Sequence, residues 1–238
     1  MKAVILNSGV GSRMGDLTLN KSKCLVSLNK SETILSRQLS MLTKAGITDI
    51  LITIGPYGNQ IPDYVKQFFP DLPVQYIRND DFNSTNYIFS MYLADSFLRE
   101  EILLMHGDIV LEERVLSDII TSNEKDAVII DSSVALPEKD FKGTVVNSFI
   151  TEIGINIKKA DNVFFLLPVY KLSADFMNKW MDEIAVFVSR DETGVYAENA
   201  FNSISSKMEL FPMDIKGAFC MEVDTEKDLE IAKGKING

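Results

Sequence analysis

Arg13 and Lys23 lie just after a glycine-containing turn, Ser8-Gly9-Val10-Gly11-Ser12-Arg13, which itself follows an apolar run. Glycines in such a turn let backbone N–H groups come close to an anion. The Arg13 guanidinium can fork onto phosphate oxygens, and the Lys23 ammonium can act as a compact charge on a phosphate under attack. Phosphoryl and nucleotidyl transfer depends mostly on positioning and charge neutralisation, so this grouping reads as a triphosphate cradle followed by a cationic hook. An ordinary strand-to-helix turn would account for the glycines alone, but not for both cations. Gly9-x-Gly11 also invites a dinucleotide-binding reading. Met14 replaces the third glycine of that fingerprint, and the second strand runs into Gly55-Pro56 rather than an acidic residue, which argues against it.

The elements that must hold these groups alternate along the chain. Strands are predicted at residues 2–7, 49–54, 74–77, 101–106 and 127–131, and helices at 33–45, 61–69, 86–98 and 112–123. That alternation argues for a layered α/β fold with largely parallel strands. Beyond residue 140 the texture changes. Asn147-Ser148 reads as a two-residue hairpin turn between strands 144–146 and 149–153. A strand over 162–170, helices over 175–190 and 195–206, a strand over 219–223 and a helix over 225–236 follow. Phe176, Trp180, Ile184 and Phe187 share one side of the helix 175–190 and read as core rather than a ligand cage. Thr225-x-x-Asp228 resembles a capping box. With no repeat, low-complexity tract or linker, a single domain in two lobes is expected, residues 1–135 on the nucleotide side and 136–238 on the acceptor side.

At 238 residues the chain can bury a substantial core. Its net charge of −10 excludes a bulk affinity for nucleic acid, while leaving room for a few focused cations. No apolar run reaches the length of a membrane span and no signal peptide is visible, so no membrane partner is expected and the cytoplasm is the default location. Cys24 and Cys220 are too few for a disulfide scaffold and lack metal spacing, as suits reduced core or near-core thiols.

Residues 6–25, LNSGVGSRMGDLTLNKSKCL, resemble the signature of the nucleotidyltransferases that activate phosphorylated sugars and alcohols. That signature runs from an L-x-x-G-x-G-[ST]-R-[ML] turn through a threonine to a P-K-x-L hook. Asn7-Ser8 stands where the family has a pair of alanines, and Ser22 where it has proline. The resemblance covers most of the chain and implies a three-layer α/β/α sandwich with a mixed, mostly parallel, Rossmann-like central sheet. It implies that Leu6, Asn7, Ser8, Gly9, Gly11, Ser12 and Arg13 hold the nucleotide and that Arg13 and Lys23 are catalytic. It also implies that Asp108 in MHGD and Asp224 in EVDTEKDLE hold Mg²⁺, a role that suits two strand-end aspartates. Read alone, Asp108 is equally a turn or cap residue. Thr225 can take the cap beside Asp224, which leaves that aspartate free.

Residues 79–94, NDDFNSTNYIFSMYLA, resemble, with one extra residue between Asn86 and Ser90, the N-x-x-[FY]-x-x-x-N-x-x-S-[LM]-Y stretch of the branch that cytidylylates phosphocholine, 2-aminoethylphosphonate and phosphoglutamine. This implies CTP as donor, with Asn79, Ser84 and Asn86 near the base or ribose; Asn86 can also cap the next helix. Residues 195–204, VYAENAFNSI, resemble the family's acceptor-facing helix, which brings in Tyr196, Glu198 and Asn199. A choline acceptor would need aromatic faces, for which Phe141, Tyr170 and Tyr196 are available. An amino-acid acceptor would need a cation for its carboxylate, for which Lys142 or Arg190 is available. With the only Trp assigned to a helix face, the balance tilts towards phosphoglutamine, and GVGSRMGDLT with NSTNYIFSMY resembles the phosphoglutamine enzymes of capsular phosphoramidate synthesis. His106 is not needed as a base, because a phosphomonoester has its second pKa at about 6; it reads as a packed or supporting residue.

The expected partners are therefore CTP and a small phosphorylated acceptor; the oligomeric state is not fixed, a homodimer being one option. Three rivals remain. A sugar-1-phosphate uridylyl- or thymidylyltransferase shares the fold. A glycosyltransferase usually carries a D-x-D pair, whereas Asp108-Ile109-Val110 offers one aspartate. A non-catalytic nucleotide sensor draws its support from Ser22.

Overall fold

Lys2–Asn7 (β1) is buried along nearly its whole length, as an unbroken apolar run requires when both sheet faces are covered. The computed structural model describes every residue except Val10, Gly58 and Gly238, so Val10 of the expected cradle lies outside the described residues. After β1 come α1 (Ile34–Lys44), β2 (Ile50–Ile54), α2 (Gln60–Phe68), β3 (Val74–Arg78), α3 (Tyr87–Leu93), α4 (Asp95–Leu98), β4 (Ile102–His106), β5 (Ile109–Leu111), α5 (Glu113–Thr121) and β6 (Ala127–Asp131). The rest comprises β7 (Lys142–Val146), β8 (Phe149–Gly154), β9 (Val163–Leu172), α6 (Ala174–Ser189), α7 (Ala197–Ile204), β10 (Phe211–Asp214), β11 (Cys220–Glu222) and α8 (Glu226–Asn237).

The main sheet runs β10-β6-β9-β4-β1-β2-β3. Strands β4, β1, β2 and β3 are parallel, as are β6 and β10, while β9 is antiparallel to both of its neighbours in that order. One face carries α3, α4, α6 and α7 around Trp180 and Tyr170, and the other carries α1, α2 and α5 around Leu39 and Ile119. This is the expected three-layer α/β/α arrangement with a mixed, mostly parallel sheet. Residue 135 falls between β6 and β7, yet β9 from the later stretch sits inside the sheet between β4 and β6.

Several local expectations hold. Asn147 and Ser148 take φ of 51° and 73°, the paired left-handed values of a type I′ hairpin turn. Trp180 is buried and its indole N–H donates to the Ala197 carbonyl at 3.0 Å, so it belongs to the core. Both cysteines are buried, and burial pushes the Cys24 thiol up to about 12. Among the described residues, no helix is long and apolar enough to cross a membrane.

Others need correction. Residues 86–98 form two helices that separate at Ala94 rather than one. The helix expected over 195–206 starts at Ala197 and tightens into a 3-10 turn at Ser205–Lys207. Two strands were not foreseen: β5 has three residues, too few to show a period, and β10 contains Pro212, which an edge strand tolerates.

Gly55 fixes how the end of β2 passes the turn after β1. A Cβ there would lie 2.1 Å from the Ser8 carbonyl oxygen. Neither backbone can easily retreat, since Asn79 N–H is bonded to the Ile54 carbonyl and the Ser8 hydroxyl to Ser90. Gly55→Ala is expected to lower the unfolding free energy by about 2 kcal/mol, as overpacked sites do. A urea midpoint equal to wild type would contradict this.

Candidate active site

A short two-stranded ribbon joins two carboxylates that lie far apart in sequence. β5 and β11 pair antiparallel, with Glu222 opposite Ile109, and the Val223 N–H donates to the Asp108 carbonyl at 2.9 Å. Asp108 enters β5 just where Asp224 leaves β11. Gln38 of α1 holds the Asp108 turn, its Nε2 donating to the carbonyls of His106 and Ile109 at 2.9 Å each. Asp224 is held by the start of α8: the Asp228 carboxylate accepts from the N–H groups of Asp224 and Thr225 at 3.2 and 2.8 Å. The Thr225 hydroxyl in turn accepts from Asp228 N–H, completing the capping box expected from the sequence.

Lys23 Nζ sits between the two carboxylates. It donates to Asp108 Oδ2 at 2.7 Å and to Asp224 Oδ1 at 2.5 Å, and Arg13 Nη1 meets Asp224 Oδ2 at 2.8 Å. The Lys23 stem runs over Gly11, whose φ is 69° and where a Cβ would come 3.1 Å from Lys23 Cβ. Glycine is thus needed there for both dihedral and space. The Thr18 hydroxyl ties the turn by donating to the Gly11 carbonyl at 2.8 Å. Met14, at the place of the missing third glycine, is buried in a small core under the turn with Val26, Ile34, Val110 and Val223. Burial works against the Lys23 ammonium, but Asp108 and Asp224 outweigh it and raise its pKa above the ordinary value. Burial likewise opposes the Asp108 carboxylate, and Lys23 with His106 overcomes it, so its pKa lies below the usual range.

These groups open onto a cavity of about 510 Å³. Leu6, Asn7, Ser8, Gly9, Gly11, Ser12 and Arg13 line it, together with Lys23, Asn79, Asn86, Asp108 and Asp224. Ser8 Oγ lies 2.6 Å from Ser90 Oγ and 3.3 Å from Thr53 Oγ1, and Asn79 Nδ2 donates to Ser90 Oγ and Thr85 Oγ1 at 3.0 Å each. Asn7-Ser8 is therefore no neutral exchange for two alanines: Ser8 knits the turn to α3 and β2. Asn7 Nδ2 is buried and has no hydrogen-bond partner among the described residues. Asn86 caps α3, accepting from the Tyr87 N–H at 2.8 Å.

Several expected positions lie elsewhere. Ser84 is exposed and outside the lining, because its loop folds back and its hydroxyl donates to the Asp81 carbonyl at 3.2 Å. Arg190 ends α6 and Asn199 occupies the exposed side of α7, both outside the lining. Lys142 is buried, and its ammonium is committed to the carbonyls of Asp140 and Ile155 at 3.2 and 2.6 Å. Glu198 is buried behind the cavity, accepting from the hydroxyls of Tyr87 and Tyr170. Of that set Tyr196 alone lines the cavity.

Tyr196 belongs to an aromatic wall that sequence reasoning saw in part. Its ring lies 5.1 Å from Phe141 and 5.7 Å from Tyr87, whose ring is 4.9 Å from His106. Tyr170 is fully buried behind this wall rather than in it. His106 Nδ1 is 3.4 Å from Glu222 Oε1. Burial lifts Glu222 to about 7 despite that contact, while at His106 burial is outweighed by Glu222 and the pKa rises. Tyr87, Gln38 and Glu222 had no motif position to betray them, since each matters through contacts with distant elements, while Ser90 stood in the S-[LM]-Y stretch with no role assigned to it.

The donor set fits a hard divalent cation. Asp108 Oδ1 is buried with no hydrogen-bond partner among the described residues, and a second carboxylate, that of Asp224, stands across Lys23. Ligand atoms of His106, Asp108 and Glu222 also lie within 4.8 Å of one another.

Residues 3–139 match the MobA-like NTP transferase domain, and the chain belongs to that family. It is accordingly a nucleotidyltransferase. Among its relatives, the CTP:phosphoglutamine cytidylyltransferase of Campylobacter jejuni is 23% identical, over 97% of this chain and 98% of that one. The choline-phosphate cytidylyltransferase of Streptococcus pneumoniae is 22% identical, over 96% and 95%. The solved structure of the CTP:phosphocholine cytidylyltransferase from Streptococcus pneumoniae shares the fold with a TM-score of 0.80 at 21% identity, covering 99% of this chain and 98% of that one.

Proposed function

We propose that the chain transfers CMP from CTP to a small phosphorylated acceptor with release of pyrophosphate, using Mg²⁺. The observation that carries this reading is Lys23 Nζ held between Asp108 and Asp224 beside the glycine turn. Backbone N–H groups of the turn and Arg13 hold the triphosphate, and Asn79 and Asn86 lie towards the base and ribose. Lys23 then exchanges carboxylate oxygens for those of the α-phosphate and stabilises the charge that grows there. An acceptor phosphate oxygen attacks the α-phosphorus in line, the new P–O bond forms, and the bond to pyrophosphate breaks. No proton need be removed, so His106 supports the wall rather than acting as a base. Bound by Asp108 and Asp224, the cation supplies charge neutralisation along the triphosphate.

CTP is supported by similarity to two cytidylyltransferases along nearly the whole chain. Phosphoglutamine, giving CDP-glutamine, is the first acceptor; Lys139 in the lining can take the carboxylate role that Lys142 and Arg190 do not fill. Phosphocholine is the second, favoured by the wall of Tyr87, Phe141 and Tyr196, whose faces suit an ammonium. Residues 1–135 would serve the nucleotide and much of 136–238 the acceptor. In this reading the enzyme works in the cytoplasm and its product feeds capsule biosynthesis.

Pyrophosphate release across CTP, UTP, dTTP, GTP and ATP tests the reading when each is paired with phosphoglutamine, phosphocholine, 2-aminoethylphosphonate and sugar-1-phosphates. CTP with a phosphorylated amine or amino acid should exceed the other pairs by about tenfold or more, the floor of what even a one-methylene difference supplies. A preference for UTP or dTTP with sugar-1-phosphates would move the assignment to a sugar nucleotidyltransferase. Nucleotide binding without release from any pair would favour a sensor.

A further inference from the structure

Lys23 has to leave its two carboxylates and reach a phosphate without losing its place, so whatever holds the backbone before it matters. Ser22 is buried and sits at φ −61° and ψ 136°, and its carbonyl accepts from Leu25 N–H at 3.0 Å to start the 3-10 turn that presents Lys23. Its own N–H points out of that turn and donates to Gln60 Oε1 at 3.1 Å. The other end of the same amide, Gln60 Nε2, donates to the Asn20 carbonyl at 2.8 Å. Gln60 is the first residue of α2, and near it Tyr57 reaches the same loop, its hydroxyl donating to the Thr18 carbonyl at 2.7 Å. Tyr57 does so from φ 66°, a left-handed conformation that an aromatic residue rarely adopts.

We propose that Gln60 is a positioning residue for Lys23: its amide clips residues 20 and 22 onto α2 and fixes the base of the lysine hook, with Tyr57 as a second strut. The clip also accounts for serine before the lysine. The Ser22 dihedrals are those a proline would impose. A proline would stiffen the site through its ring, whereas serine supplies an N–H and leaves the stiffening to Gln60. Once Gln60 is truncated, the part-buried Ser22 N–H is left without its acceptor and the loop loses its tether. A proline at 22 then has no N–H to leave unpaired and restores the φ restriction covalently. The two devices are interchangeable, which makes rescue the decisive test.

The test compares wild type, Gln60→Ala, and Gln60→Ala with Ser22→Pro in the full-length protein. Its kinetic arm rests on the cytidylyl-transfer reading above; its labelling arm does not. Gln60→Ala is expected to lower kcat with CTP by about tenfold while KM for CTP moves by no more than about twofold, as for a displaced group that acts mainly in the transition state. Lys23 acylation by an N-hydroxysuccinimide ester, read by peptide mass spectrometry, should quicken by about threefold or more as its pairing with the aspartates loosens. Adding Ser22→Pro should recover most of both changes. Wild-type turnover and labelling in Gln60→Ala, or a defect that Ser22→Pro leaves in place, would overturn the proposal. If wild type shows no turnover with any nucleotide and acceptor, the functional reading fails, and the labelling rates alone decide the role of Gln60.

Discussion

Lys23→Ala is expected to lower kcat by roughly 10²–10³, the loss that follows removal of one pre-organised charge from a developing anion. KM for CTP should change less, because in the proposed reading Arg13 and the glycine turn would still hold the triphosphate. The variant has a second consequence. Without the ammonium, Asp108 and Asp224 face each other with only Arg13 beside Asp224 and His106 near Asp108 to offset them, and their side chains are only 21% and 13% exposed. The cation-free variant should lose about 1–3 kcal/mol of stability, less than the 3–5 kcal/mol of a fully buried broken pair. Millimolar Mg²⁺ should recover much of that loss by supplying charge where Lys23 stood. Steady-state kinetics and thermal denaturation with and without Mg²⁺ measure both effects. Near-normal turnover would remove Lys23 from the mechanism.

The second large effect concerns Asp108. Asp108→Ala should also cost roughly 10²–10³ in kcat, through a different route. It deletes Oδ1, the buried oxygen without a hydrogen-bond partner among the described residues, and half of the anionic setting that holds Lys23. Raising Mg²⁺ should therefore fail to restore turnover, in contrast to its effect on stability in Lys23→Ala. Asp108→Asn separates charge from shape. Gln38 bonds to the backbone around this residue rather than to its side chain, so the turn should survive the exchange. An equal loss in Asp108→Asn identifies the missing charge as the cause. Turnover within about twofold of wild type for either variant would remove Asp108 from the catalytic set.

The sheet strands β1, β2, β4 and β6 were legible because they are apolar runs with turn residues at their ends, buried on both faces. The hairpin at Asn147-Ser148 and the capping box at Thr225 were legible for local reasons: each is decided by residues within four positions of one another. What escaped depends on distant partners. The three-residue β5 is a strand only because β11 pairs with it, and that pairing sets Asp108 beside Asp224. Arg190 and Lys142 looked alike as available cations in one dimension. In the fold one ends α6 away from the cavity and the other is spent on two carbonyls. Ser22 stood only as a departure from the signature's proline, since the acceptor for its N–H is Gln60, far along the chain. Glu198 was expected at the acceptor, yet the hydroxyls of Tyr87 and Tyr170 draw it behind the aromatic wall.

Phosphorus NMR of the protein with CTP, Mg²⁺ and each phosphorylated acceptor in turn follows the transfer itself. A pair of coupled doublets from a new P–O–P linkage is expected, growing in step with pyrophosphate for phosphoglutamine or phosphocholine and strongly reduced in Lys23→Ala. CTP left intact with every acceptor, or CTP cut to CMP and pyrophosphate with no new linkage, would contradict the transfer of CMP.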